Sequence, residues 1–353
     1  MNRLNTVQAL RAIAAWLVIV THGALRVSEF APLGLPMRAF DLLGALGVTM
    51  FFTLSGFIMV HISRHGFGEP GAPAAFLRRR IIRVVPLYWI MTALAAAMIL
   101  KNAEPLGTTQ LLTSLLFIPY LDSGPFIRPV LGVGWTLNYE MFFYLLFAAS
   151  LFFRRGLDFL AMFLLALLVL GQELNPVWDF HSPRNALETW TSPLLLPFLL
   201  GMGLALVREA RQQMRTRHPF LILAAGCAAM LIVQAWLVPQ GSYPGWWHIL
   251  ALGIGSALAG AAILAADSLT IPAWLVFSGD ASYSLYLVHP LLFGIARRLG
   301  GQTLAHSSPH LAITLYVAMS TVAGITLYVV VERPITRFLS QRRRASPAIE
   351  AAI

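Results

Sequence analysis

The feature that most constrains this chain is the recurrence of apolar runs about as long as a bilayer is thick. A window of about 20 residues finds them near 6–27, 39–62, 80–101, 135–153, 157–171, 188–207, 219–238, 247–266, 281–299 and 310–332, joined by short polar or Pro/Gly-bearing links. In hydrocarbon the backbone has no water to bond, so runs of this length fold as helices. The expected fold class is all-α, a polytopic bundle of about ten transmembrane helices. The fourth and fifth runs are short. "TTQLLTSLLFIPYL" (108–121) is too short for an ordinary crossing, which makes it re-entrant or interfacial. Composition agrees, since 58% of the residues are hydrophobic and only 11% charged, against about 25% charged in a soluble domain. A single transmembrane domain is expected over 1–340, followed by a short, basic, flexible tail at 341–353. Arg3 before an apolar run also fits a secretory leader, but Arg11 interrupts that reading. Cys227 is the lone cysteine, so an intramolecular disulfide and a multi-Cys zinc site are excluded, and no metal site is expected.

Charge placement sets the expected orientation, because Lys and Arg accumulate in cytoplasmic loops. With the N-terminus inside, the inner segments receive Arg64, Arg78, Arg79, Arg80, Arg83, Arg154, Arg155, Arg208, Arg211, Arg215, Arg217, Arg333, Arg337 and the basic tail. The outer segments receive few: Arg26, Arg38, Lys101, Arg128 and Arg184, with Arg297 and Arg298 at an outer helix end. Ten spans with both termini cytoplasmic satisfy this asymmetry. It also accounts for the net charge of +10 without nucleic acid, because the basic residues are divided among loops.

Against this apolar background the buried ionisable residues stand out. "LNTVQALRAIAAWLVIVTHGALRV" (4–27) carries Arg11 and His22, eleven residues apart. At about 100° per residue they return to within ~20° of one face, roughly 16 Å apart along the axis. An Arg inside a span usually faces the bundle interior, a cavity or a partner, although it can also snorkel toward the interface. Glu140, in "GVGWTLNYEMFFYLLF" (132–147), is the acidic residue well inside a run, at a depth like that of His22. A carboxylate there can raise an imidazole's basicity and fix its tautomer, or pair structurally with Arg11 or Arg128. "FLRRRIIRVVPLYW" (76–89) gathers Arg78, Arg79, Arg80 and Arg83 at the entrance of the third span. These serve either as anchors or as forks for a cytosolic anion. Ser55 and Gly56 in "GVTMFFTLSGFIMV" (47–60) allow close approach of a helix or a thin acyl chain. In "DASYSLYLVHP" (280–290), Ser282, Tyr286 and His289 share a face at i, i+4 and i+7, and Pro290 frees a backbone carbonyl. With Trp135 they are channel-lining candidates.

Taken in order, "QALRAIAAWLVIVTH", "GVTMFFTLSGFIM", "RRRIIRVVPLYW", "WTLNYEMFFYLLF", "SYSLYLVHP" and "ERP" (332–334) resemble the acyltransferase-3 family of integral membrane proteins. "SLLFIPY" and "PVLGVGWTLNYEMFFY" are most similar to its exopolysaccharide-production acetyltransferase branch. The resemblance covers residues 4 to 335. It implies O-acyl transfer, usually of acetyl and sometimes of succinyl, from a cytoplasmic acyl-CoA to a glycan or lipid-linked oligosaccharide hydroxyl at the outer face of a bacterial inner membrane. Membrane lipid and polysaccharide-synthesis machinery are the expected surroundings, with no permanently bound cofactor. By the same resemblance Arg11, His22 and Glu140 are the catalytic candidates, and Arg79, Arg80, Arg83, Ser55 and Gly56 are the acyl-CoA-binding ones. Ala12 and Thr136 replace the family's usual Gly and Ser, which are mild departures. The chain ends without the esterase-like domain of some members, so the bundle is expected to complete the transfer itself. Direct attack on the thioester with His22 as base and an acyl-His intermediate both remain open, as does a transporter or flippase that uses the same groups as a relay. No inverted repeat is evident to favour the transporter.

Overall fold

The computed structural model describes residues 4–34, 36–120, 129–174, 185–214, 246–264, 269–296 and 301–341. All regular structure among them is helical, and no strand occurs. The α-helices run α1 (Asn5–Ser28), α2 (Met37–Ser63), α3 (Ala72–Lys101), α4 (Thr108–Leu115), α5 (Trp135–Ser150), α6 (Gly156–Leu174), α7 (Ala186–Trp190), α8 (Leu196–Met214), α9 (Trp246–Leu264), α10 (Ala273–Asp280), α11 (Ser282–Ala296), α12 (Gln302–Ser307), α13 (Pro309–Leu327) and α14 (Arg333–Gln341). A single π-helical turn, Tyr328–Glu332, joins the last two.

Six helical stretches are long and apolar enough to cross a membrane: α1, Ala39–Ser63 in α2, α3, α6, Ala186–Ala210 and Pro309–Gln341. Leu252–Leu264 and Ser282–Ala296 are shorter apolar helices, and α5 spans 16 residues. Six helices of full length thus stand among the described residues, beside the ten apolar runs of the sequence. The run at 219–238 and the tail beyond 341 lie outside those residues. The third helix starts at Ala72, earlier than its apolar run, because Gly71 in the left-handed region (φ 77°) ends the preceding turn and Pro73 suits a first helical turn. Residues 108–120 form only the eight-residue α4, about 12 Å long and too short to cross, and 121 lies outside the described residues. Phe152, Phe159, Met162, Phe163, Val169 and Val322 are exposed, as lipid-facing side chains of a multi-pass membrane protein are.

Helix α2 is the central member and packs on α1, α8 and α9, while α1 also packs on α10, α11 and α13. Lipid tails give helices no hydrophobic reason to associate, so contact depends on small residues that let backbones meet. A Cβ on Gly56 would collide with the Phe198 carbonyl of α8, and one on Gly201 with the Thr53 carbonyl of α2. Gly279 of α10 abuts the Gln8 carbonyl of α1 in the same way. Side-chain bonds add to this: Thr53 Oγ1 lies 3.1 Å from Ser256 Oγ, and the Trp16 indole donates to Thr321 Oγ1 at 3.2 Å.

Candidate active site

Five helices converge on a cavity of about 310 Å³. Gln8 and Arg11 enter it from α1, Ser55 from α2, Arg80 and Arg83 from α3, Thr136, Glu140 and Tyr144 from α5, and Ser282, Tyr283 and Tyr286 from α11. The i, i+3 and i, i+4 spacings within each helix explain why these side chains share an inward face. Arg80 keeps only 9% of its surface exposed. Its guanidinium carbon lies 5.6 Å from the centre of the Phe76 ring and 5.7 Å from that of Tyr144, and its Nε is buried without a hydrogen-bond partner among the described residues. Arg11, Arg80 and Arg83 form no ion pair among the described residues. The cavity wall thus gathers three guanidinium groups against one carboxylate, Glu140. That carboxylate accepts a short hydrogen bond from the Tyr144 hydroxyl, which in turn accepts one from Ser55 Oγ at 3.5 Å. Thr136 and Tyr286 share a hydroxyl–hydroxyl bond of 2.8 Å at the wall.

Three of these helices, α1, α3 and α11, also build a second cavity, of about 620 Å³, from their opposite ends, together with α12 and α13. Arg26 and Glu29 reach it from the C-terminal end of α1, Met98 and Asn102 from that of α3, and Pro290 and Phe293 from that of α11, with Tyr316 of α13. Between the two cavities in sequence on α1 and α11 stand His22 and His289. His289 Nε2 lies 3.3 Å from His22 Nδ1, and the ring centres are 5.0 Å apart. His289 is fully buried and His22 partly so. Tyr286, three residues before His289, puts its ring edge toward that imidazole at 5.9 Å. It thereby joins the pair to the first cavity.

Several sequence expectations change here. The hydrogen bonds of His22 go to the Val18 carbonyl and His289, so the expected Glu140–His22 contact is replaced by Glu140–Tyr144 and His22–His289. Glu140 instead faces the arginines. Arg79 is exposed and Gly56 faces α8, so neither lines the cavity, while Arg80, Arg83 and Ser55 do. Of the channel candidates Ser282 and Tyr286 line it; His289 stands behind Tyr286, and Trp135 packs edge-on against Tyr139 at 6.0 Å. Tyr144 is the i+4 neighbour of Glu140, a spacing that signals the contact. Glu332 opens "ERP", where no periodicity marks it as inward-facing. The π-turn carries it inward, where it is buried and accepts from Ser284 Oγ at 2.5 Å, in the electrostatic field of Arg83 and Arg11.

A membrane bundle that sets buried guanidinium groups, a carboxylate and paired imidazoles between two cavities has the make-up of an intramembrane transferase. Residues 4–329 match the model of the acyltransferase domain Acyl_transf_3, and the chain belongs to this acyltransferase-3 family as an O-acyltransferase. It is similar to the exopolysaccharide production protein ExoZ of Rhizobium meliloti (strain 1021), with 32% identity over 85% of this chain and 92% of the relative. It is also similar to the acyltransferase MdmB of Streptomyces mycarofaciens, with 28% identity over 99% and 96%. Nodulation protein 10 of Rhizobium leguminosarum bv. viciae shares 27% identity over 82% of each chain. No solved structure matches.

Proposed function

We propose that the protein transfers an acyl group, most simply acetyl, from cytoplasmic acyl-CoA to a hydroxyl of an exopolysaccharide or other cell-surface glycan at the outer face of a bacterial inner membrane. The observation that carries this reading is the pair of cavities at opposite ends of α1, α3 and α11, with the imidazoles between them. Arg64, Arg78, Arg79 and Arg80 lie toward the end with the arginine cavity, which the positive-inside rule assigns to the cytoplasm. Both termini of a ten-span bundle would share that side. Coenzyme A is polyanionic, and guanidinium forks bind phosphate oxygens bidentately. A cavity of about 310 Å³ is at the small end for ligand sites. It suits the acyl-pantetheine arm with its phosphate end held by Arg80 and Arg83, and the rest of the nucleotide outside. The similarity to ExoZ supports a glycan acceptor, which would enter through the second cavity.

In the transfer His22 removes the proton of the acceptor hydroxyl as its oxygen attacks the thioester carbon. The carbon–sulfur bond breaks, and the proton leaves with the CoA thiolate. General base catalysis of this kind contributes about 10²–10⁴-fold. Arg11 steadies the donor, and Glu140 sets the charge balance of the cavity. The test is purified protein in lipid given [14C]acetyl-CoA with and without host polysaccharide. Acceptor-dependent transfer of label supports the reading. An intact donor under all conditions would favour a transporter.

A further inference from the structure

Three contacts in series run through the two imidazoles. His289 Nδ1 lies 3.3 Å from the Leu285 carbonyl oxygen, His289 Nε2 lies 3.3 Å from His22 Nδ1, and His22 Nδ1 lies 3.0 Å from the Val18 carbonyl oxygen. A carbonyl oxygen only accepts, so each of these bonds requires hydrogen on Nδ1. A neutral imidazole has one N–H. His289 Nε2 therefore holds a lone pair and faces the Nδ1–H of His22, which divides its hydrogen between this nitrogen and Val18. The lone pair of His22 is left on Nε2, which meets no hydrogen-bonding group among the described residues.

The local sequence explains how His289 is held. Pro290 has no N–H to give to the carbonyl four residues back, Tyr286, and this carbonyl lies with that of Leu285 beside the His289 ring. The Tyr316 hydroxyl donates to the backbone carbonyl of His289 at 2.6 Å, and the side chain is fully buried. The ring has a fixed orientation before any substrate arrives.

We propose that His289 is the positioning residue of the transfer step: together with the Val18 carbonyl it holds His22 as the Nδ1–H tautomer, and it orients the ring so that the basic Nε2 is left for the acceptor hydroxyl. This rests on the reading of His22 as the base. When Nε2 takes the hydroxyl proton, the Nδ1–H bond to His289 becomes charge-assisted and stronger. It thus stabilises the transition state more than the ground state. A carboxylate does the same work in a Ser–His–Asp triad. Here a neutral acceptor does it without the cost of a second buried charge.

Two measurements test the assignment. The first is 15N NMR of ring-labelled histidine in lipid nanodiscs, with the His22 signals identified by their loss in His22→Gln. His22 should show protonated Nδ1 and bare Nε2, and His289→Met should shift the Nδ1 resonance by removing one of its two acceptors while the Val18 carbonyl keeps the proton on Nδ1. The second is [14C]acetyl-CoA incorporation into the polysaccharide of host membrane vesicles. His289→Met should lower kcat by roughly 10²-fold, the low end of a general base's contribution, with acetyl-CoA KM changed less than about twofold. His289→Gln, whose Oε1 reaches the place of Nε2 as an acceptor, should recover at least a tenth of wild-type kcat. A wild-type His22 protonated on Nε2 overturns the proposal, and so does an equal loss in folded Met and Gln variants. If wild-type membranes incorporate nothing, or His22→Gln works at the wild-type rate, the functional reading fails instead, and the tautomer measurement still decides what His289 does.

Discussion

Replacing Arg80 with Gln is expected to weaken acyl-CoA binding while leaving the empty protein about as stable as before. The two effects separate because Arg80 is nearly buried and its Nε has no partner among the described residues. An unmade buried hydrogen bond costs about 1–3 kcal/mol, which the substitution returns. Against this it loses the contacts to the Phe76 and Tyr144 rings at 5.6 and 5.7 Å, close to the limit of such contacts and worth about 0.5–2 kcal/mol each, the upper value for a desolvated cation. The balance lies near zero. On the donor side a hydrogen bond to a charged group is worth about 1.5–3 kcal/mol, so Kd should rise roughly 10–150-fold. Lys should rescue only in part, since it lacks the planar fork. Arg79→Gln should change Kd by less than about twofold, since Arg79 is exposed and lies off the cavity wall. Calorimetric titration with acetyl-CoA and thermal unfolding followed by tryptophan fluorescence measure both quantities on one sample. An Arg80→Gln protein that melts well below wild type yet binds with unchanged Kd would make Arg80 an anchor and refute the donor assignment.

The other expectations are shorter. Glu140→Gln removes the one carboxylate from a wall with three guanidinium groups and should tighten acetyl-CoA binding at least about 5-fold by titration, since a unit charge several ångströms away is worth one or more kcal/mol at an effective dielectric of about 20. Gly56→Ala should lower unfolding stability by about 1–3 kcal/mol through overpacking against Phe198, whereas Gly203→Ala, with open space around its Cβ, should be neutral or stabilising by thermal unfolding. Reporter fusions after Arg64 should read cytoplasmic and those near Ser307 extracytoplasmic. The reverse pattern would invert the assignment of donor and acceptor cavities.

The apolar runs made the helical bundle legible because hydrocarbon leaves the backbone no other choice. The inward face of α1 was legible too, since the distance from Arg11 to His22 in sequence fixes their angular separation. Sequence does not show how far one helix slides along another. Glu140 and His22 were matched by depth alone, but depth leaves azimuth open, and α5 turns Glu140 toward Tyr144 and the arginines. Likewise "SG" looked like one motif, although adjacent helical residues point about 100° apart. Ser55 consequently lines the cavity while Gly56 meets α8. Glu332 was hidden because it enters through a π-turn, a local change of pitch that a regular 3.6-residue period does not reveal.

These contacts explain why Arg11 and His22 belong on one rigid helix. Helix α1 is seated at several levels by neighbours that admit no larger side chain. Gly279 meets the Gln8 carbonyl, a Cβ on Gly47 would lie 2.6 Å from the Ala14 carbonyl oxygen, and one on Gly44 would lie 2.9 Å from the Thr21 side chain. Close packing of this kind has discrete registers rather than a continuum, so α1 cannot slide by a fraction of a turn. The distance from Arg11 to His22, roughly 16 Å along the axis, is therefore set by the helix and not by the substrate. On the proposed acyl-CoA reading, a donor held by its phosphates at one end presents its thioester at a depth fixed by the length of its own arm. Only an arm that spans the interval brings the acyl carbon to the imidazole pair, so the bundle would select a long flexible thioester such as acyl-CoA over a short acyl phosphate by reach alone.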